Sequence, residues 1–187
     1  MTSPNGINGS GMEAAGKILA SARKVRLVAF DVDGVLTDGK VSYTSSGEEI
    51  KSFNVRDGHA IRLARRAGLT VAFITGRKSP MVDIRAMDLG VEHVFQGVKD
   101  KIVVLDSLLS TLGLDHSQVA YMGDDLVDLP VLLKVGLGCA VADAPLEVRD
   151  RAAIVFDSPG GCGAARDLIV FILKAQNMWD SILKRYL

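Results

Sequence analysis

The sequence has few of the features that would tie it to an oxidising compartment or to a charged partner. It has two cysteines, Cys139 and Cys162, and neither belongs to a Cys-x-x-Cys pair, so a cysteine-bound metal cluster is not indicated. Lysine plus arginine equal aspartate plus glutamate, at 22 each, so no excess charge predicts binding to nucleic acid or an anionic membrane. We therefore expect a reducing compartment, the cytoplasm.

Long apolar segments are also missing. The run at residues 168–173 is too short to span a bilayer, and the N-terminus lacks the cationic and apolar segments of a signal peptide. Hydrophobic residues nevertheless make up 48% of the chain, which is enough to build one packed domain. We expect residues 1–11, which are rich in glycine, serine and asparagine, to be a disordered tail, and residues 12–187 to form a single domain.

Short apolar runs alternate with helical segments along the domain. Runs that are apolar on both faces suit parallel strands covered by helices on both sides. The six runs are residues 25–30, 70–74, 91–95, 119–122, 139–142 and 153–156. The helical segments are residues 12–22, 58–67, 80–90, 100–112 and 130–135, and one that starts after Gly163 and runs toward Tyr186. This alternation predicts a doubly wound α/β fold with a parallel sheet.

One segment interrupts the alternation. Residues 40–43 and 49–53 alternate in side-chain character and flank the turn-like run Thr44-Ser45-Ser46-Gly47. This pattern predicts a β-hairpin inserted at about residues 39–53. The insertion is too small to be a cap domain.

Polar side chains gather where the predicted strands end. In open α/β sheets, ligands bind at the carboxyl ends of the strands, so residues placed there are expected to share one site. A lysine also lies on the first turn of a helix that begins at the same edge of the sheet. The residues concerned are Asp31, Asp33, Thr75, Lys101, Asp124 and Asp125.

This set of side chains suits phosphoryl transfer from a monoester. Asp31 can attack phosphorus as a carboxylate, and Asp33, two residues on, can protonate the leaving alcohol and then deprotonate water. Clustered carboxylates beside a phosphate need a cation, and Asp31 and Asp124 suit Mg²⁺. Lys101 and the Thr75 hydroxyl can hold the phosphoryl oxygens.

Four motifs, in this order, resemble those of the haloacid dehalogenase superfamily. They are Asp31-Val32-Asp33-Gly34-Val35-Leu36-Thr37-Asp38, Thr75-Gly76-Arg77, Lys101 and Gly123-Asp124-Asp125-Leu126-Val127-Asp128. The resemblance implies that Asp31 is the nucleophile and Asp33 the acid and base. It also implies that Asp31, the Asp33 carbonyl and Asp124 hold the metal, supported from close by through Asp125 and Asp128.

Further runs extend the likeness over nearly the whole predicted domain. The run Phe53-Asn54-Val55-Arg56-Asp57-Gly58-His59, residues 97–101, 119–130, 140–144 and 160–167, and the tail at 173–187 resemble 3-deoxy-D-manno-octulosonate 8-phosphate phosphatases. That family makes a lipopolysaccharide precursor. In it, four subunits pool their hairpins into a central barrel, and a neighbouring subunit closes each site. The resemblance implies substrate contacts from Asp33, Asn54, Val55, Arg56, Asp57, Gly58, Arg62, Thr75, Gly76, Arg77, Arg85 and Lys101.

The sequence differs from the pattern of that family at several positions near its C-terminal end. Cys162 stands where a basic residue is usual, and Ala165-Arg166-Asp167 replaces a more typical Val-Arg-Glu. Asp57 can equally serve as the N-cap of the helix that follows it.

Three alternatives remain open from the sequence. The first is a phosphatase for a nine-carbon sugar acid 9-phosphate, built as the same capless tetramer. The second is a phospho-acceptor receiver domain of signalling, although its acceptor would follow a middle strand and it would not need Asp33. The third is a catalytically idle oligomerisation module.

Overall fold

The computed structural model describes residues 9–187, with side chains from Glu13 onward. Of the predicted disordered tail, residues 1–8 lie outside the described residues. Helix α1 (Gly9–Lys24) begins three residues before its predicted start at Met12.

The main sheet has six strands, all parallel, as the sequence predicts. The strands are β1 (Leu27–Phe30), β4 (Thr70–Ile74), β5 (His93–Phe95), β6 (Val119–Gly123), β7 (Leu137–Ala140) and β8 (Ile154–Val155). They lie in the order β5-β4-β1-β6-β7-β8, so β1 is central and the order reverses between β1 and β6. Ligands of open α/β sheets bind outside the carboxyl ends of the strands at such a reversal.

Helices cover both faces of this sheet. They are α2 (Val55–Arg66), α3 (Pro80–Leu89), α4 (Lys101–Leu112), α5 (Leu129–Leu132), α6 (Leu146–Arg149), α7 (Ala164–Ala175) and α8 (Trp179–Leu183). Helix α7 packs against α1 and α2, and α4 packs against α5. The core between the layers contains fully buried large side chains such as Phe30, Phe73, Tyr121 and Leu168.

Local signals set several helix ends as predicted. Ser79 caps α3 by accepting a hydrogen bond from the Met81 amide, and Pro80 is its first residue. Asp100 caps α4 in the same way, and Gly113 ends that helix in the left-handed conformation. Lys101 is therefore fixed as the first residue of α4, at the carboxyl edge of the sheet.

The predicted hairpin is present but has shorter strands. Strands β2 (Ser42–Tyr43) and β3 (Glu49–Ile50) pair antiparallel, with Ser42 opposite Ile50 and Tyr43 opposite Glu49. The hairpin is too small to be a cap domain, and residues 9–187 contain no larger insertion that could be one. Within this described part of the chain, none of the helices has the length and apolar character needed to cross a membrane.

The C-terminal helix differs from its prediction. The sequence predicts one helix toward Tyr186, but α7 ends at Ala175 and α8 starts only at Trp179. Asn177 between them has a φ of 58°, a left-handed conformation that asparagine tolerates better than most residues. The chain therefore turns at Asn177.

Candidate active site

Two aspartates meet at the reversal point of the sheet. Asp31 directly follows β1, Asp124 directly follows β6, and these two strands are neighbours in register. One carboxylate oxygen from each of Asp31, Asp124 and Asp128 lies within 4.8 Å of the others. The structure thus brings Asp31 and Asp124, the two predicted carboxylate ligands, close to Asp128, which the sequence predicts to support them.

The loop after β1 is shaped by a threonine and a glycine. Thr37 is buried, and its Oγ1 accepts hydrogen bonds of 3.3 Å from the amides of both Gly34 and Gly39. Gly34 has a φ of 93°, and a Cβ there would collide with the Asp124 carboxylate. The loop can therefore approach Asp124 closely only with glycine at position 34.

Asp128 is fully buried and uses both of its carboxylate oxygens. Its Oδ1 accepts hydrogen bonds of 2.6 Å from Lys101 Nζ and from the Tyr121 hydroxyl. Its Oδ2 accepts from the amides of Asp124 at 3.0 Å and Asp125 at 3.2 Å. Asp128 therefore fixes Lys101 and the backbone at Asp124 and Asp125, and its support of a metal ion stays a prediction.

Asp31 and Asp124 each have a carboxylate oxygen that is still free to accept a hydrogen bond or bind a cation. Lys101 Nζ lies 2.9 Å from Asp31 Oδ1, which makes an ion pair, but its direction of approach gives no hydrogen bond to that oxygen. Within residues 13–187, neither Asp31 Oδ1 nor Asp124 Oδ1 accepts a hydrogen bond, although both are buried. Two buried oxygens that accept no hydrogen bond, beside a satisfied third carboxylate, fit a hard divalent cation.

Burial and mutual repulsion change the ionisation of this cluster. Burial raises the pKa of Asp31 to about 6, although the Lys101 ammonium opposes the rise. Burial, followed by the charges of Asp31 and Asp128, raises the pKa of Asp124 to about 8. Burial would lower the pKa of Lys101, but the two aspartates beside it outweigh burial and raise it. The cluster thus favours added positive charge.

The predicted acid and base, Asp33, lies at the side of this cluster. The Thr75 hydroxyl donates to Asp33 Oδ2 at 3.5 Å, and Arg77 Nε lies 4.0 Å from the same oxygen. The buried ammonium of Lys51 donates to Asp33 Oδ1. Lys51 is absent from the predicted site, because its position depends on how the hairpin folds over the loop.

Comparisons with known proteins agree with this geometry. Residues 91–166 match the haloacid dehalogenase-like hydrolase family. The 3-deoxy-D-manno-octulosonate 8-phosphate phosphatase of Escherichia coli K12 is 45% identical over 163 residues, 87% of each chain.

The chain belongs to the family of 3-deoxy-D-manno-octulosonate 8-phosphate phosphatases, within the haloacid dehalogenase superfamily. It is a phosphoric monoester hydrolase.

Two solved structures of this family resemble the phosphatase closely. The Moraxella catarrhalis enzyme, solved with a magnesium ion, a phosphate ion and a KDO molecule, has a TM-score of 0.90 and 40% identity, covering 92% of this chain and 99% of that one. The cobalt-bound Haemophilus influenzae enzyme has a TM-score of 0.82 and 42% identity, covering 85% and 93%. The capless fold of the phosphatase is therefore that of its relatives.

The start of α2 contacts the glycine-rich loop before α7. Asn54 caps α2, accepting from the Arg56 amide at 2.7 Å, and its side-chain amide donates to the Gly161 carbonyl at 3.1 Å. The buried carboxylate of Asp57 accepts from the amides of Gly163 at 3.2 Å and Arg166 at 2.8 Å. Asp57 therefore caps α7, whereas the sequence-based alternative had it capping α2.

The glycine-rich loop rests on the loop that carries Asp33. The Gly161 amide donates to the Val35 carbonyl at 2.9 Å, and side chains at Gly160 or Gly161 would collide with the backbone at Gly34 and Thr37. The contacts of Asn54 and Asp57 with the glycine-rich loop thus reach the loop after β1 indirectly.

Two of the predicted substrate arginines are engaged within the chain. Arg62 donates to the Asp88 carbonyl at 2.6 Å, in the last turn of α3, and is not brought to the acidic cluster. Arg85 donates to the Asn54 carbonyl at 3.0 Å and lies over the Phe53 ring. The contact of Arg62 with substrate stays a prediction.

The remaining predicted residues divide between the cluster and the surface. Gly76 follows Thr75 at the end of β4, and Gly58 leaves space that the Arg85 guanidinium fills. Val55 and Arg56 are exposed at the start of α2. The Asp125 carboxylate is exposed and accepts from the adjacent Leu126 amide, and Asp125 forms a capping box with Asp128, whose carboxylate accepts from the Asp125 amide. These placements leave their substrate roles as predictions.

Proposed function

We propose that this phosphatase hydrolyses 3-deoxy-D-manno-octulosonate 8-phosphate to the free sugar acid and phosphate, with Mg²⁺ and through an aspartyl-phosphate on Asp31. The observation that carries this proposal is the buried cluster of Asp31, Lys101 and Asp124 at the reversal of the sheet. Relatives with 40–45% identity that are named for this substrate support the choice of sugar acid. The proposed role is in lipopolysaccharide precursor synthesis in the cytoplasm.

Mg²⁺ is the proposed cofactor. The buried Oδ1 atoms of Asp31 and Asp124, with the Asp33 carbonyl, form a set of oxygen ligands of the kind that Mg²⁺ takes, with water and phosphate as the others. When bound, the ion would neutralise part of the charge that carboxylates and phosphate bring together. The magnesium and phosphate in the Moraxella catarrhalis enzyme support this assignment.

The chain's own residues supply the chemical steps. An Asp31 carboxylate oxygen bonds to phosphorus while the bond from phosphorus to the alcohol breaks, and Asp33 gives its proton to the leaving oxygen. Water then attacks phosphorus, Asp33 takes the proton of that water, and Asp31 is released. Lys101, held by Asp128, and the Thr75 hydroxyl bind phosphoryl oxygens as charge spreads over them.

The substrate also carries a carboxylate, which needs cationic recognition. Arg77 is partly exposed at the cluster, where its guanidinium already binds Glu49 at 2.9 Å. A planar guanidinium suits a carboxylate because it can donate two parallel hydrogen bonds. We propose that Arg77, together with Arg85 and residues 54–58, forms the pocket for the sugar acid.

The proposed assembly is a homotetramer in which hairpins form a shared barrel and a neighbouring subunit closes each site. The hairpin exposes three large apolar side chains, Val41, Tyr43 and Ile50, with Tyr43 62% exposed. Val55, at the start of α2, is 81% exposed. Apolar side chains grouped on a small projection favour burial against other copies. Closure by a partner would also exclude water from a site that has no cap.

Steady-state kinetics on two sugar acid phosphates tests the proposed function. With Mg²⁺, we expect kcat/KM for the eight-carbon 8-phosphate to exceed that for a nine-carbon 9-phosphate by about tenfold or more, and EDTA to abolish both activities. A preference for the nine-carbon substrate would replace the proposed substrate with the alternative. Release of only one equivalent of phosphate per chain would favour the receiver domain.

A further inference from the structure

Lys51 is a buried lysine that no motif of the site includes. It directly follows β3, and its side chain is only 2% exposed. Its Nζ donates to Asp33 Oδ1 and lies 3.6 Å from Glu49 Oε1. A lysine ammonium is rarely buried unless it is paired, so these two carboxylates account for its position.

These groups form a closed ring of alternating charge. Glu49 accepts a hydrogen bond from Arg77 at 2.9 Å, and Arg77 Nε lies 4.0 Å from Asp33 Oδ2. The ring therefore runs from Asp33 through Lys51, Glu49 and Arg77 back to Asp33. Both oxygens of Asp33 face donors, but they differ: Oδ1 has the close ammonium, and Oδ2 has the Thr75 hydroxyl at 3.5 Å.

This difference decides which oxygen of Asp33 can carry a proton. An ammonium has three donors and no acceptor, so it can face only an oxygen that carries no hydrogen. A protonated carboxyl still accepts a hydrogen bond on its carbonyl oxygen, so Lys51 can keep its contact with Oδ1 in both protonation states of Asp33. The transferable proton is then confined to Oδ2.

We propose that Lys51 is a positioning residue that holds the transferable proton of Asp33 on Oδ2, directed at the leaving oxygen of the substrate. This inference rests on the proposed function of Asp33 as acid and base. As Asp31 bonds to phosphorus, the leaving oxygen keeps the electron pair of the broken bond and takes the proton from Oδ2. In the second half of the reaction, water attacks phosphorus, the bond from phosphorus to Asp31 breaks to release the carboxylate, and the proton of that water returns to Oδ2.

The hairpin therefore serves the site of its own subunit. Lys51 and Glu49 belong to the hairpin segment, and within one chain Lys51 reaches Asp33 while Glu49 reaches Arg77. In the proposed assembly, contacts among hairpins would also hold Lys51 in the position from which it orients Asp33.

A series of aryl monophosphates tests this role, from phenyl phosphate to 4-nitrophenyl phosphate. These substrates have no carboxylate, and their leaving groups differ in how much they need a proton. The variants are Lys51→Met, Lys51→Arg and the control Lys40→Met. Lys40 lies at the start of the same hairpin but forms an exposed ion pair with Asp38 at 2.9 Å.

We expect the logarithm of kcat/KM to fall more steeply with leaving-group pKa in Lys51→Met than in the wild type. Misdirecting general acid catalysis should lower kcat/KM for phenyl phosphate by about 100-fold, and for 4-nitrophenyl phosphate by less than about 10-fold. Lys51→Arg should regain part of the shallow slope, because it restores a donor, and Lys40→Met should match the wild type.

Several results would overturn the proposal. An equal loss over the whole series would give Lys51 a purely structural role. An unchanged slope with a raised KM only for the sugar acid phosphate would make Lys51 a substrate ligand. If Lys51→Met does not fold, Lys51→Gln replaces it, and a wild-type slope there would contradict the role. A wild type that hydrolyses neither the aryl nor the sugar acid phosphates would overturn the proposed function itself.

Discussion

The ammonium of Lys101 donates a 2.6 Å hydrogen bond to the carboxylate of Asp128, and both side chains are almost completely buried. The pair joins the first residue of α4 to the short turn after β6. It holds Lys101 beside Asp31, where a phosphoryl group would bind. Loss of the pair would therefore affect both stability and chemistry.

We predict that Asp128→Asn destabilises the fold by about 3 kcal/mol and lowers kcat at least about tenfold, because it breaks a buried pair. An asparagine there must also point its NH₂ group at existing donors, either Lys101 and Tyr121 or the two backbone amides. Urea unfolding and steady-state kinetics measure the two effects. Asp125→Asn is the matched control, since its exposed carboxylate caps only its own turn. Equal effects of the two substitutions would contradict the prediction.

Asp57 tests whether the N-terminus of α7 depends on a carboxylate from α2. We predict that Asp57→Ala lowers the free energy of unfolding by about 2 kcal/mol, because it leaves the Gly163 and Arg166 amides without their acceptor. Asp57→Asn should cost less, since its one oxygen can still accept. Exposed Asp150→Ala is the control in the same urea titration. An unchanged stability with a raised KM would instead make Asp57 a substrate ligand.

The metal-free protein should lose stability as pH rises. The pKa values of Asp31 and Asp124 in the folded state, about 6 and about 8, lie above the ordinary value of 3.8. The folded state therefore binds more protons than the unfolded state, and this contribution is lost as pH rises through each folded pKa. In EDTA we predict a Tm that falls from about pH 4, near the ordinary pKa, to about pH 8, the higher of the two folded pKa values.

Magnesium should reverse this loss where the carboxylates are ionised. The gain in Tm on adding Mg²⁺ should be larger near pH 8.5 than near pH 5.5, because the ion competes with protons for the same oxygens. Differential scanning fluorimetry measures both effects. Asp124→Asn should flatten the pH dependence and reduce the gain. Equal gains at both pH values would show that the ion binds elsewhere.

Arg62 offers a test of sites shared between subunits. In the structure it binds the Asp88 carbonyl of its own chain, and in the proposed homotetramer we expect it to contact substrate bound to a neighbouring subunit. We predict that the Asp31→Asn and Arg62→Ala enzymes are each impaired, and that mixed assemblies formed by refolding them together regain activity. Mixing Asp31→Asn with Asp33→Asn provides the control, because both defects lie in the same site. No gain over the separate enzymes would contradict a shared site.

Much of the site follows from the sequence because of one geometric rule. Asp31, Thr75 and Asp124 each follow an apolar strand, and the carboxyl ends of parallel strands share an edge, so their meeting could be predicted. Lys101 was predictable from its place on the first turn of a helix; in the structure, Asp100 caps that turn. These positions depend on local signals repeated along the chain.

Other parts depend on contacts between distant segments, which no local pattern reports. Lys51 reaches Asp33 only because the hairpin folds back over the loop after β1, which carries Asp33. Asp57 caps a helix that begins more than 100 residues later, so its neighbours in sequence suggested the wrong helix. The break at Asn177 was missed because the helical pattern continues on both sides of it.

Trapping the intermediate on Asp31 addresses the proposed chemistry at its first step. Acid quenching during turnover, followed by borohydride reduction and peptide mass spectrometry, converts an aspartyl-phosphate into a homoserine at the modified position. We predict homoserine at position 31 in the wild type in the presence of substrate and Mg²⁺, and none in Asp31→Asn, which should fold normally and lack turnover. Homoserine at another aspartate, or near-normal turnover by Asp31→Asn, would contradict attack by Asp31 on phosphorus.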